Sequence, residues 1–262
     1  MEATMSELLV RQTVKPGLVR LTLNRPEAFN SLSEAMLAAT KAELEAIGAD
    51  DRIKVVILAG AGRAFCAGHD LKEMRAAPSQ TYYEGLFKQC SEVMLSIQRL
   101  PQVVIAQVEG VATAAGCQLV AMCDLAVAAD TATFAVSGVN LGLFCSTPSV
   151  ALSRNIGRKE AMYMLMTGEF IDAQQAKSWG LVNEVVGKDR TAEATQELAE
   201  KILKKPAPAL RLGKRLFYEQ LEVNIARAYE LAGQTMACNM MDETALEGVQ
   251  AFIEKRPPDW RN

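Results

Sequence analysis

At 262 residues, 50% hydrophobic and 23% charged, the chain is long enough to bury a large core, and one α/β domain with an appendage is expected. A net charge of −3 without any basic block excludes the electrostatic footprint of a nucleic-acid-binding protein. No apolar run reaches the roughly 20 residues needed to span a membrane, and MEATMSELLVRQ lacks a basic start ahead of a long apolar stretch, so no signal peptide, no membrane and a cytoplasmic location are expected.

In chain order, LVRLTLN (18–24) alternates like a strand, and the proline-containing NRPEAFNSL reads as a loop. Over 31–50, Met36, Leu37, Leu44 and Ile47 recur near helical spacing, with Ser31 or Ser33 as N-cap. IKVVILAG (53–60) is a buried strand, 80–99 a helix broken by Pro101, and VVIAQVEG (103–110) the next strand. A turn of very small residues then opens a helix near 116, and LAVAAD (125–130) and TFAVS (133–137) follow as short strands. Long helical crossovers between strands imply parallel pairing in right-handed units. Beyond 148 the pattern is mostly helical. Asp172 and Gln175 fit a capping-box variant, and LVNEVVG (181–187) closes the core. Helices over 192–204, 206–220, 222–241 and 243–255 suggest a core of residues 1–190 and a helical region of 191–262.

Two turns stand out: FCAGHDL (65–71) and ATAAGCQ (112–118), each after an apolar strand. Parallel neighbours would bring both to one sheet edge, where ligands bind in open α/β sheets. Backbone N–H groups left uncovered by Gly and Ala at a helix start suit a carbonyl oxygen that becomes an oxyanion. The alternative is that each turn merely lets a helix pack close to a strand. The six cysteines (66, 90, 117, 123, 145 and 238) form no CxxC pair and read as buried free thiols. A single histidine, His69, rules out multi-His metal sites, so no metal is expected. It leaves one candidate base for a Ser or Cys nucleophile, and no GxSxG elbow accompanies it.

The segments NRPEAFNSL (24–32), GRAFCAGHDLKEM (62–74), VEGVATAAGCQLVAMCDLAVAADTATFA (108–135), TGEFIDAQQAKSWGLVNEVV (167–186) and EGVQAFIEKRPPDW (247–260) resemble the enoyl-CoA hydratase/isomerase (crotonase) superfamily. LGLFCSTPSVALSRNIGRKEA (141–161) further resembles its enoyl-CoA hydratase domain-containing protein 3 branch. The resemblance implies an α/β fold: a crotonase-like spiral of ββα units with a C-terminal helical trimerisation domain, assembled as a homotrimer or hexamer. It also implies an acyl-CoA thioester as substrate, with no separate cofactor. Carried over by position, the oxyanion hole falls on the N–H groups of Ala67 and Ala115, where Ala115 replaces the family's usual glycine. Arg25, Pro26 and Ala28 fall in the loop lining the adenosine pocket, and Ala67, Gly68, His69 and Asp70 in the stretch along the pantetheine and adenine. Phe252 and Lys255 match a C-terminal pair that reaches a neighbouring subunit's ligand. Arg25, Lys72 and Lys255 are the candidate cations for the CoA phosphates. Asp70 could serve as a base, but beside a tight glycine turn the holding of backbone N–H groups is the favoured role.

The pattern breaks at two positions. Hydratases of this superfamily use two glutamates, one to activate water and one to deliver a proton; here Gln118 and Gly138 stand in their places. Efficient hydration and carboxylate-driven isomerisation are therefore not expected, and Gln118→Glu with Gly138→Glu should raise hydration if the geometry is kept. Candidate substitutes are Tyr82, Tyr83 and Glu84 in the helix after the first turn, and Ser137, Asn140, Cys145 and Ser146 near the second site. The functional expectation is an acyl-CoA enzyme stabilising a thioester enolate. The alternative is an acyl-CoA binder or regulator with little catalysis.

Overall fold

The computed structural model describes residues 8–76 and 78–260; residues 1–7, where no signal peptide is expected, lie outside them, as do 77, 261 and 262. Strands β1 (Leu9–Lys15) and β2 (Leu18–Leu23) form an antiparallel hairpin. Strands β3 (Val55–Gly60), β5 (Val103–Val108), β7 (Leu125–Ala129) and β10 (Glu184–Val186) extend it in parallel, giving a six-stranded sheet ordered β1-β2-β3-β5-β7-β10. A second, four-stranded sheet is built from β4 (Ala64–Cys66), β6 (Val111–Thr113), β8 (Thr133–Ala135) and β9 (Ile171–Asp172), with only β9 antiparallel. The chain thus leaves three successive inner strands of the large sheet for a short strand of the small one: β3 for β4, β5 for β6, β7 for β8. Helices return it each time, which is the ββα spiral that the resemblance implies.

Helix α1 (Glu34–Gly48) buries Met36, Leu37, Leu44 and Ile47, and of the two candidate caps it is Ser33 whose hydroxyl accepts the Met36 N–H, at 3.1 Å. After α2 (Leu71–Ala76), helix α3 (Gln80–Arg99) is capped by Ser79 and buries Leu86, Cys90, Val93, Met94 and Ile97 along one stripe. Helix α4 (Ala115–Met122) follows the second turn, and α5 (Ser146–Asn155), α6 (Arg158–Thr167) and α7 (Ala173–Trp179) fill the segment before β10. Asp172 caps α7 through the Gln175 N–H at 2.7 Å, but the Gln175 side chain turns to Ser178, so the cap is one-sided.

Alternation along the strands divides the core. Val56, Leu58, Val104, Ala106 and Ala128 face the interior shared with the small sheet, whereas Leu18, Val55, Ile57, Ile105 and Val127 face the other way. That second face is covered by α8 (Thr191–Leu203) through Ala194 and Ala199. A boundary at 191 therefore cuts off a layer of the core: alanines let α8 lie close against the sheet, and Leu198 and Ile202 pack beside them. Only α9 (Ala207–Leu221), α10 (Ile225–Met240) and α11 (Glu243–Ile253) form the separate helical region. β1 carries little apolar signal because it is an edge strand with only Leu9 buried. Among the described residues, no helix is long and apolar enough to cross a membrane.

Candidate functional site

The first turn is built on a loop whose anchor the sequence reading missed. Asn30 is fully buried with φ +55°, and its amide Nδ2 points at the carbonyls of Ala61 (2.9 Å), Ala64 (2.8 Å) and Phe65 (3.2 Å) while Oδ1 accepts the Arg25 N–H at 2.8 Å. Asn tolerates the left-handed region and carries both donor and acceptor, which is the signal that an asparagine in NRPEAFNSL offers. The preceding Phe29, also at positive φ (53°), presents its carbonyl to the Ala67 N–H at 3.0 Å. The Ala67 N–H, expected to face a thioester oxygen, is thereby committed within the fold.

Gly68 changes which N–H is free. At φ +89° it reorients the next peptides, so that Leu32 N–H donates to Gly68 O (2.7 Å) and Asp70 N–H to Leu32 O (3.3 Å). Leu32 and His69 form an isolated parallel bridge, and in such a bridge the residue between the two bonded groups turns its own N–H away. The His69 N–H is therefore directed to the opposite side from the 29–32 loop. On that side β4 pairs with β6, and the second turn begins.

The second turn abuts the first. A β-carbon built on Gly68 would lie 3.2 Å from the Ala115 nitrogen and 2.9 Å from the Ala114 β-carbon, and one built on Gly116 would lie 2.0 Å from the Cys66 carbonyl oxygen. Close packing of a helix start against a strand end therefore holds at both turns. Ala115 sits inside α4 with ordinary helical geometry; the unusual backbone belongs to Ala114, at φ +51° and ψ −120°. Such a conformation costs about 1–3 kcal/mol and persists where its surroundings hold it. Ala114 is held by its N–H bond to Ala135 O at 2.9 Å. As the first residue of α4, Ala115 has no carbonyl one turn behind it to accept its N–H, and no side chain caps the helix.

Polar groups around the turns divide into committed and unpartnered ones. Asp70 accepts from Arg25 at 2.7 Å and from the Lys72 and Glu73 N–H groups at 3.0 and 3.2 Å, so its carboxylate caps α2 and pins the 25–32 loop. Although partial burial opposes ionisation, these bonds hold the Asp70 carboxyl below its usual range. Arg25 also reaches Ser31 and Glu27; Pro26 and Ala28 form the short 3-10 turn beside it, and Lys72 is exposed. Gln118, one turn along α4 from Ala115, is only 4% exposed and its Oε1 has no partner. The His69 ring packs edge-on to Phe87 with centroids 5.4 Å apart, and neither ring nitrogen has a partner. Burial lowers the His69 pKa, only partly offset by the Leu32 backbone, so the ring is neutral at pH 7.

The remaining candidates are engaged or inert. Tyr83 donates to Met74 O, Glu84 accepts from Gln80, Ser137 pairs with Thr113 at 3.1 Å and Asn140 reaches Gly168 O. The Tyr82 hydroxyl is buried and unpartnered. Burial pushes the Cys66 and Cys117 thiols up to about 12, which leaves no thiolate for a cysteine nucleophile. The Gly138 position is filled: a β-carbon there would meet Leu143 O at 2.6 Å and Cys145 Sγ at 2.7 Å. Phe252, 85% exposed, lies on α11, and Lys255 follows it at φ +56°, both in the helical region away from the two turns in sequence.

The model of the enoyl-CoA hydratase/isomerase family matches residues 13–262. A crystal structure of an enoyl-CoA hydratase from Mycobacterium smegmatis superposes with a TM-score of 0.96 at 60% identity, covering 97% of this chain and 99% of that one. Human enoyl-CoA hydratase domain-containing protein 3, mitochondrial, is 44% identical over 244 residues, 93% of this chain and 80% of that protein. Its crystal structure superposes with a TM-score of 0.93 over 97% of this chain and all of that one. That relative's name places it in mitochondria, in contrast to the cytoplasmic location expected for this chain.

Proposed function

Because the chain belongs to the enoyl-CoA hydratase/isomerase family, we propose that it binds acyl-CoA thioesters and stabilises the enolate form of the bound acyl group. The observation supporting this reading is the abutment of the two turns that carry His69 and Ala115, whose N–H groups would meet at one oxygen. A thioester oxygen between them would be polarised, and negative charge developing on it would meet two preorganised donors. His69 takes the donor role in place of Ala67, whose N–H holds the Phe29 carbonyl. Pro26 and Ala28 would line the adenosine, and Gly68 and Asp70 would follow the pantetheine through their backbone. Arg25 is already paired with Asp70, so Lys72 and Lys255 would meet most of the phosphate charge.

A second reading, an acyl-CoA binder with little catalysis, is favoured by Gln118 and the filled Gly138 position. Both readings require the same ligand. We further propose that copies of the chain assemble as trimers or pairs of trimers through the helical region. Ile225, Tyr229, Met236, Met241, Phe252 and Ile253, all exposed there, support this.

Calorimetric titration of the wild-type protein with butyryl-CoA tests the ligand class. Saturable heat with butyryl-CoA, and weaker binding of CoA lacking the acyl group, is the expected result. No heat with butyryl-, hexanoyl- or crotonyl-CoA would remove the assignment.

A further inference from the structure

We propose that this site releases carbon dioxide from 2-carboxyacyl-CoA thioesters, malonyl-CoA in the simplest case, with the uncharged Gln118 position admitting the carboxylate. The proposal rests on the thioester reading above and names a substrate class for it. Three routes lead to an enolate on a thioester. A base can take a proton from Cα, water can add at Cβ of a 2-enoyl group, or a carboxylate on Cα can leave as carbon dioxide. The first two use a base, on the Cα proton or on the attacking water. The third uses none, because the breaking carbon–carbon bond supplies the electron pair.

Among the described residues, no side chain at the two turns is poised to be that base. Gln118 has no titratable proton, and Leu143 and Cys145 fill the space a side chain at Gly138 would need. Asp70 is held by Arg25 and two backbone N–H groups. Glu73 accepts the Glu34 N–H at 3.0 Å, and Glu84 is tied to Gln80. Both His69 ring nitrogens and the Tyr82 hydroxyl are sealed inside the fold. Burial raises the pKa of Cys66, Cys117 and Cys145, keeping them as thiols.

The same groups set the charge that a substrate meets. Cys66, Cys117, Gln118 and the His69 ring, all belonging to the two turns, are uncharged at pH 7, and the Asp70 charge is paired with Arg25. Gln118, 4% exposed, lies three residues along α4 from Ala115 and so on the same helix face. A carboxylate set against this buried surface finds no counter-charge, which raises its free energy. As the bond breaks, that charge leaves the carboxyl group and develops on the thioester oxygen, between the His69 and Ala115 N–H groups. A glutamate at 118 would instead place a second negative charge beside the carboxylate. The neutral amide that disfavours hydration therefore suits a carboxylated acyl group.

In the step itself the bond from Cα to the carboxyl carbon breaks, and its electron pair forms the carbon–carbon double bond of the enolate. The carbonyl π pair moves to the thioester oxygen, and carbon dioxide departs. Water then protonates Cα, re-forming the thioester carbonyl, and the hydroxide left over combines with the carbon dioxide as bicarbonate. Malonyl-CoA and water thus give acetyl-CoA and bicarbonate, with atoms and charge balanced.

The test is incubation of the wild-type protein with malonyl-CoA and with methylmalonyl-CoA, the acetyl-CoA and propionyl-CoA formed being read by mass spectrometry. Wild-type protein is expected to accelerate product formation about 10²-fold or more over solution, the size of one preorganised oxyanion donor. Gln118→Glu, checked for folding by thermal melting, is expected to lose about tenfold or more in kcat/KM on malonyl-CoA through like-charge repulsion, while hydrating crotonyl-CoA faster than wild type. Structural damage alone would lower both activities, so the opposite signs isolate the charge at 118. Saturable butyryl-CoA binding with malonyl-CoA decomposing only at its solution rate would overturn the proposal. So would a folded Gln118→Glu variant that decarboxylates malonyl-CoA as fast as wild type. Absence of any thioester binding would instead overturn the ligand reading and this proposal with it.

Discussion

Crotonyl-CoA is expected to be hydrated by the wild-type protein at least about 10⁴-fold more slowly than by a relative carrying both glutamates, because each positioned acid–base group contributes roughly 10²–10⁴-fold. Stopped assays of the 3-hydroxyacyl product check this, and turnover like that of an ordinary hydratase would show that another group activates water. The two replacements differ in how they can be reversed. Gln118 is buried, and its carbonyl end lacks a partner, so Gln118→Glu fits sterically and is expected to raise hydration about tenfold or more. Burial will raise the pKa of the new carboxyl, which makes this gain larger at higher pH, where the carboxylate form prevails. Gly138→Glu is different. Its β-carbon collides with backbone, the Leu143 carbonyl at 2.6 Å, as well as with Cys145 Sγ, so the change is expected to cost about 1–3 kcal/mol of stability through overpacking. The double replacement that the family resemblance suggests should therefore do no better than Gln118→Glu alone. A double variant that surpassed it would mean that the 138–145 loop moves aside.

Lys214→Ala is expected to destabilise the protein by about 3–5 kcal/mol in denaturant titrations, since it strands a buried partner charge. Lys214 on α9 is 9% exposed and donates to Ile97 O and Gln102 O, both at 2.9 Å, and to Asp124 Oδ2 at 2.6 Å. Asp124 also accepts the Tyr218 hydroxyl at 2.8 Å and the Val104 N–H at 2.7 Å. This one cluster ties the helical region to the end of α3, the start of β5 and the turn before β7. Burial pulls the Lys214 pKa down, and Asp124 opposes that shift. Replacing both partners with apolar residues, Asp124→Leu with Lys214→Met, should cost less than the sum of the single changes. A loss under about 1 kcal/mol for Lys214→Ala would place the pair among ordinary surface salt bridges.

Most of the spiral was legible because it depends on local patterning: buried β-branched runs, helical stripes such as that of α1, and the proline that ends α3. The site was legible only to the level of the turn. Composition marks FCAGHDL as a tight turn, but which of its N–H groups is taken up within the fold depends on the peptide orientation that Gly68 sets at φ +89° and on the Phe29 carbonyl. Neither is a property of the turn's own composition. The same holds for Asn30, whose three carbonyl targets lie 31 to 35 residues away, and for Lys214 and Asp124, which are 90 residues apart. The layer formed by α8 was hidden because its apolar stripe looks the same whether it meets a sheet or a partner helix.

A crystal structure with butyryl-CoA bound tests the central claim most directly. In that crystal structure the thioester oxygen is expected within about 3 Å of the His69 and Ala115 nitrogens, at ordinary N–H···O distance, with the Ala67 N–H still bonded to the Phe29 carbonyl. A thioester oxygen bound by the Ala67 N–H, or lying away from both turns, would contradict it.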